Sequence, residues 1–130
     1  MDLNIRVIHS GDFLKVTTSG ELDLEESKQV LLALATENSA SGPYDILIDV
    51  RHAVSHLSFT DVTELVDMMI ERRDSFRSQL AILTRPESTL EIGKFMELYA
   101  GNRGFQVAVF KDFEEAMNWL MNSTELTAGA

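Results

Sequence analysis

One stretch limits the fold more than any other. Tyr44-Asp45-Ile46-Leu47-Ile48-Asp49-Val50 holds three large apolar residues in a row. A strand wet on one face alternates, whereas an unbroken apolar run is the pattern of a parallel strand covered on both faces. A few residues later the period changes: Phe59, Val62, Leu65, Val66 and Met69 recur at helical spacing. Ser58 stands just before that run and Asp61 three residues on, so the helix carries its own N-terminal signal. The polar residues 50–57 between them read as a loop, with Asp49 at the strand's end. In open α/β sheets, ligand and modification sites gather beyond the C-terminal ends of strands.

The flanking sequence extends this alternation. Leu3, Ile5 and Val7 alternate with polar residues in a strand that reaches His9; Ser10-Gly11-Asp12 is a turn, and Phe13 to Thr18 is a second strand, giving an antiparallel hairpin. Asp23 caps a first helix from Leu24 to about Thr36, with Val30, Leu31 and Leu34 facing inward. Residues 37–43 form a polar connector punctuated by Gly42 and Pro43. Gln79 to Thr84 is a further strand, ended by Arg85-Pro86. Ser88 caps a third helix with Ile92, Phe95, Met96 and Tyr99 on one face, and Gly101-Asn102-Arg103-Gly104 stops it, a glycine there being free to turn left-handed. Phe105 to Phe110 is the last strand. Asp112 caps a last helix whose Phe113, Ala116, Met117 and Leu120 point inward. The order ββαβαβαβα predicts an α/β domain over residues 1–122: a mostly parallel five-stranded sheet with an antiparallel edge strand and four helices. Residues 123–130 are expected to form a flexible tail.

Composition narrows the function classes. The chain of 130 residues is 45% hydrophobic and 25% charged, enough for one domain with a real core. Its net charge of −10 argues against nucleic acid, whose phosphates need a cationic surface. With no cysteine, disulfides, thiolate nucleophiles and Cys-based metal sites are excluded. No apolar run approaches the roughly 20 residues of a transmembrane segment. The opening residues carry no secretory pattern, so a cytoplasmic location is expected.

Gly20-Glu21-Leu22-Asp23-Leu24 after the second strand resembles the G-E-L-D-L stretch of the STAS domain, the module of anti-sigma factor antagonists and of sulfate transporter tails. Phe105-Gln106-Val107-Ala108-Val109-Phe110, then Phe113-Glu114-Glu115-Ala116 and Trp119-Leu120, resemble the last strand and helix of its SpoIIAA-like branch, and the element order matches over nearly the whole chain. The resemblance implies a non-enzymatic bacterial signalling domain, switched in antagonists by phosphorylation of a Ser or Thr at the start of the second helix. It implies a protein partner, an anti-sigma factor, a kinase-like protein or another regulator, and leaves room for a homodimer. The family's D-S-S-G-L string is absent; the matching region reads Leu57-Ser58-Phe59-Thr60-Asp61-Val62, with no glycine between Gly42 and Gly93.

The phosphoacceptor candidates are therefore Ser58 and Thr60, where free backbone N–H groups at a helix start favour added charge. Asp61, and Asp49 at the strand end, are expected to repel such a phosphate. Asp49, His52, His56, Asp61, Glu64 and Met68 are the candidate partner surface. His52 and His56 would pair only on a helix, and with Asp49 as the one further ligand nearby no metal site is expected. Ser55, His56 and Asp49 name a Ser/His/Asp set, but three residues crowded into one loop do not make a triad. Glu21 and Asp23 read as turn and cap chemistry. Glycine-rich phosphate loops, G-x-S-x-G and H-E-x-x-H are all missing, so no catalytic residue and no cofactor is expected. Off-face Met68 and Leu98, with Met69, Met96 and Trp119 near face edges, suit either a partner patch or a tight core. The alternative function is a carrier or sensor of a small apolar ligand or lipid, which requires an apolar pocket of roughly 300 Å³ or more.

Overall fold

The computed structural model describes the backbone of residues 2–8, 13–41, 44–85 and 91–129, and the side chains of 13–38, 44–85 and 91–121. His9, the turn at 10–12, Gly42, Pro43, Pro86 and Ser88 lie outside the described residues.

The elements are β1 (Asp2–Ile8), β2 (Phe13–Leu22), α1 (Leu24–Ser41), β3 (Asp45–Ser55), α2 (Phe59–Glu71), a 3-10 turn (Arg73–Phe76), β4 (Gln79–Leu83), α3 (Glu91–Gly101), β5 (Gln106–Phe110) and α4 (Phe113–Gly129). In the sheet every strand lies beside the next in sequence, β1-β2-β3-β4-β5. Strands β2 to β5 run parallel, and β1 lies antiparallel along β2.

The unbroken run at Ile46 to Ile48 is explained by coverage on both faces. Leu14, Val16, Ile46, Ile48 and Leu80 meet Val30, Leu31 and Leu34 of α1, Val62, Leu65, Val66 and Met69 of α2, and Met96 and Ala100 of α3. On the opposite face Phe13, Leu47, Ala81 and Leu83 meet Ala116 and Leu120 of α4.

Several boundaries depart from the sequence reading. Helix α1 continues through the supposed connector to Ser41, because Asn38 is buried and spent on tertiary bonds. Its Nδ2 donates to Ser75 O at 2.8 Å, and its Oδ1 accepts from Tyr44 N at 3.0 Å. Strand β3 does not stop at Val50 but runs to Ser55, paired there with Ser19 to Leu22 of β2 beyond an irregular register after Thr17. The backbone of α4 is helical through residue 129, where the sequence reading placed a tail; no proline or internal glycine interrupts it. Asp23 caps α1, accepting from Glu26 N at 3.1 Å. Gly104, φ 92°, ends the α3 turn in the left-handed region. Phe113, expected inward, is 39% exposed, with Lys15 Nζ 5.7 Å from its ring centre. Among the described residues no helix is long and apolar enough to cross a membrane.

Candidate functional site

The start of α2 is built by its own side chains. Ser58 has an extended backbone, and its Oγ accepts from Asp61 N at 3.1 Å while Asp61 Oδ2 accepts from Ser58 N at 3.0 Å. This reciprocal pair satisfies two otherwise orphaned N–H groups. Ser58 and Thr60 are both exposed, one at the cap and one in the first turn. The Thr60 carbonyl accepts from Thr63 Oγ1.

Phe59 recurs at helical spacing with the core residues of α2, yet it is 51% exposed. Its ring stands edge-on to Phe95 of α3 with centroids 5.0 Å apart, and Phe95 leans on Tyr99 at 5.6 Å. Arg103 covers the Tyr99 ring at 3.5 Å. Leu98, 64% exposed, lies on the outer side of α3. Around Phe59, α2 presents exposed Glu64, Asp67 and Glu71 and half-exposed Asp61. Lys28 of α1 approaches Glu64 at 3.4 Å. The outer side of α2 is thus an acidic rim with Phe59 and Ile70 exposed in it, and on the adjoining α3 Leu98 stands exposed together with Glu91 and Lys94.

The other candidates do not converge there. Asp49 shares the parity of Leu47, so it faces the α4 side of the sheet, away from Ser58 and Thr60. It is 3% exposed and grips Arg51 two-pronged, accepting from Nε at 3.0 Å and Nη2 at 2.9 Å, and from Arg51 N at 3.0 Å. Burial alone would raise the Asp49 carboxyl, but the Arg51 hydrogen bonds outweigh it and hold the group below its ordinary value. The repulsion expected between Asp49 and a phosphate on Ser58 therefore has no structural basis, whereas Asp61 adjoins the cap directly. His52 lies on β3 opposite Ser19, and His56 follows the strand, its Nε2 4.0 Å from Glu21 Oε1. With His52 on a strand, the helical histidine pair does not form. No cluster of metal-binding side chains occurs among the described residues. Met68 is half-buried against the main core, as Met69 and Met96 are buried in it, and Trp119 packs on Phe110. Met68, Met69 and Met96 thus belong chiefly to the interior.

A second feature is a pocket of the size that the alternative carrier reading requires. Between the sheet and helices α1, α2 and α3 lies a cavity of about 490 Å³. Leu22, Val30, Ile48, Ala53, Leu65, Ile82, Met96 and Val109 are among its walls, and Thr18, Ser27, Ser55, Thr84 and Arg85 contribute its polar lining. Val54 and Ser55 also line it and are exposed, so it opens toward the C-terminal ends of the strands. Gly93 lies in the wall where α3 approaches β5; a Cβ there would come within 3.1 Å of a Val109 methyl.

No family model matches the chain, and no curated protein does. Solved structures do. An uncharacterised protein of the DUF3478 family from Shewanella loihica PV-4, described as having a SpoIIAA-like fold, superposes with a TM-score of 0.57 at 18% identity over 92% of each chain. The anti-sigma factor antagonist SpoIIAA in its unphosphorylated form superposes with a TM-score of 0.55 at 12% identity, over 99% of this chain and 100% of that one. The fold is SpoIIAA-like. On this SpoIIAA-like frame the acidic rim and the cavity occupy opposite sides of one helix: Phe59 and Glu64 face outward from α2, while Val62 and Leu65 line the cavity. At these identities the likeness establishes the frame, and what the chain does must be argued from its own side chains.

Proposed function

We propose that this chain is a non-enzymatic regulatory domain, antagonist-like in mode of action, that docks a protein partner through the outer rim of α2 and α3. The observation that carries this reading is the exposure of Phe59 and Leu98 beside the acidic outer side of α2. Large apolar side chains ringed by charge are the composition of a recognition patch, with an anchor that desolvates and a rim that steers. The Phe59 ring is already fixed against Phe95, so little side-chain freedom is lost on docking. The complementary partner is a regulator with an apolar pocket bordered by Lys and Arg.

Phosphorylation at Ser58 or Thr60 is the proposed control. A phosphate there adds charge of about −1.5 to −2 to a rim already negative, and weakens attraction to a basic partner. On Ser58 it also crowds Asp61 and opens the reciprocal cap.

The test is site-specific photo-crosslinking in the native host, with the reactive group at position 59 or 98 and at exposed Leu32 of α1 as the control. A discrete adduct is expected from 59 and 98 but not from 32, and it should disappear when Glu64 and Asp67 are both replaced by lysine. Equal labelling from position 32 would sink the docking surface. A crosslink between two copies of this chain would identify the rim as a homodimer contact instead. Mass analysis of the same sample reads phosphate on Ser58 or Thr60 directly.

A further inference from the structure

The sheet ends in an open strand. β1 lies at one end of the strand order and has a single neighbour among the described residues, β2. The backbone groups on its outer side form a row of donors and acceptors with no ladder among those residues, and such a row is a template for a further strand. Monomeric proteins commonly blunt an edge of this kind with a proline, a bulge or a very short strand. Residues 2–8 contain no proline and no glycine, and all seven pair with β2 in unbroken register.

The charges on β1 indicate which strand fits there. Arg6 stands directly opposite Lys15 in the β1–β2 register, and like charges opposed across two strands are destabilising. Asp49, a carboxylate that feels the Lys15 charge, is already gripped by Arg51. An anion on the open side of Arg6 would therefore offset a repulsion built into the hairpin. The same strand supplies one, because Asp2 and Arg6 are placed symmetrically about Asn4. When two copies of β1 meet antiparallel with Asn4 opposite Asn4, Asp2 of each copy stands opposite Arg6 of the other, and Leu3 opposite Ile5. Each of these pairs joins positions of equal parity, so corresponding faces of the two sheets run on in line. We infer that β1 pairs antiparallel with β1 of a second copy of this chain, about a two-fold axis at Asn4, making one continuous sheet of two. Such a contact closes on itself, whereas β5 of one copy added to β1 of the next would propagate an open filament. One strand pair is small beside the roughly 1,200–2,000 Å² of stable interfaces, so the dimer is weak and dissociates on dilution. It uses none of the rim residues of α2 and α3, and stands or falls apart from the docking reading.

The test is sedimentation velocity of the whole chain over a range of concentrations, joined to disulfide trapping. The native chain is expected to pass from monomer to dimer as concentration rises. Arg6→Asp and Asp2→Arg should each weaken the dimer about tenfold, and the two together should restore it. Arg6→Asp also removes the opposition to Lys15, so its thermal midpoint in dilute solution should hold or rise, which separates a lost contact from a lost fold. The chain has no cysteine, so Asn4→Cys introduces a single thiol. Opposed residues of antiparallel strands have Cα atoms about 4.5–5.5 Å apart, within the span of a disulfide. Mild oxidation of Asn4→Cys should therefore yield a covalent dimer, and Leu32→Cys, at an exposed position of α1, should not. Each of four results overturns the proposal: a monomer at every concentration up to about 1 mM, a dimer indifferent to both single charge reversals, a double reversal that fails to restore it, or equal trapping at positions 4 and 32.

Discussion

Asp49 and Arg51 form the one ion pair with a buried carboxylate among the described residues, and their arrangement decides what each contributes. Arg51 keeps about a third of its side chain in water, so the pair is only half desolvated. Arg51→Met would leave a nearly buried carboxylate with a single backbone N–H donor. We expect a loss of about 1–3 kcal/mol, read as a lower urea midpoint with unchanged slope. Because the Asp49 carboxyl titrates below its unfolded value, the folded state takes up that proton less readily. Its contribution to stability is whole above the unfolded carboxylate pKa of about 3.9 and is lost as pH falls through the lower folded value. Unfolding midpoints of the native chain should therefore drop below about pH 4 more steeply than those of Asp49→Asn. Equal slopes would remove Asp49 from the acid response. At Gly20, φ is 80° and a Cβ would meet nothing within 4 Å, so Gly20→Ala is strained by backbone alone, about 1–2 kcal/mol.

Among the elements, α2 and α1 make the clearest predictions. Ser58→Ala removes one half of a reciprocal cap and should cost about 1 kcal/mol, whereas Thr60→Ala, an exposed first-turn position, should stay within about 0.5 kcal/mol. Thermal unfolding of the two variants separates the structural role of Ser58 from any signalling role it shares with Thr60. Asn38→Ala should cost more stability, about 2–4 kcal/mol, since Tyr44 N and Ser75 O both lose their bond to Asn38. The same elements show what could be read beforehand. The cap at Ser58, the central strand and the helical stripes were legible because capping and periodicity are local. The face taken by Asp49 was not: a strand apolar on both sides shows no alternation, and so hides its own parity. Residues 51–55 looked like a loop because they pair with β2 alone and are largely exposed, and such a strand segment carries no hydrophobic pattern. Phe59 fits the stripe of α2 by number, yet it sits one turn beyond the sheet's cover.

For the whole molecule, the sequential strand order has a consequence in time. Each strand's neighbour is the one made just before it, so pairing needs only a turn or a single crossover to close, which keeps the loop-closure entropy of each pairing small. During synthesis, which runs at about 5–20 residues per second, β1 to β4 and the helices of the main core emerge first. The other face of that sheet has to wait. Leu47, Ala81 and Leu83 acquire their cover from Ala116 and Leu120 of α4, which follows every strand of the sheet. A nascent or truncated chain ending before α4 thus presents a bare aliphatic sheet face, the kind of surface that aggregates or engages a chaperone. Docking of α4, more than completion of the sheet, is the step that covers this aliphatic face.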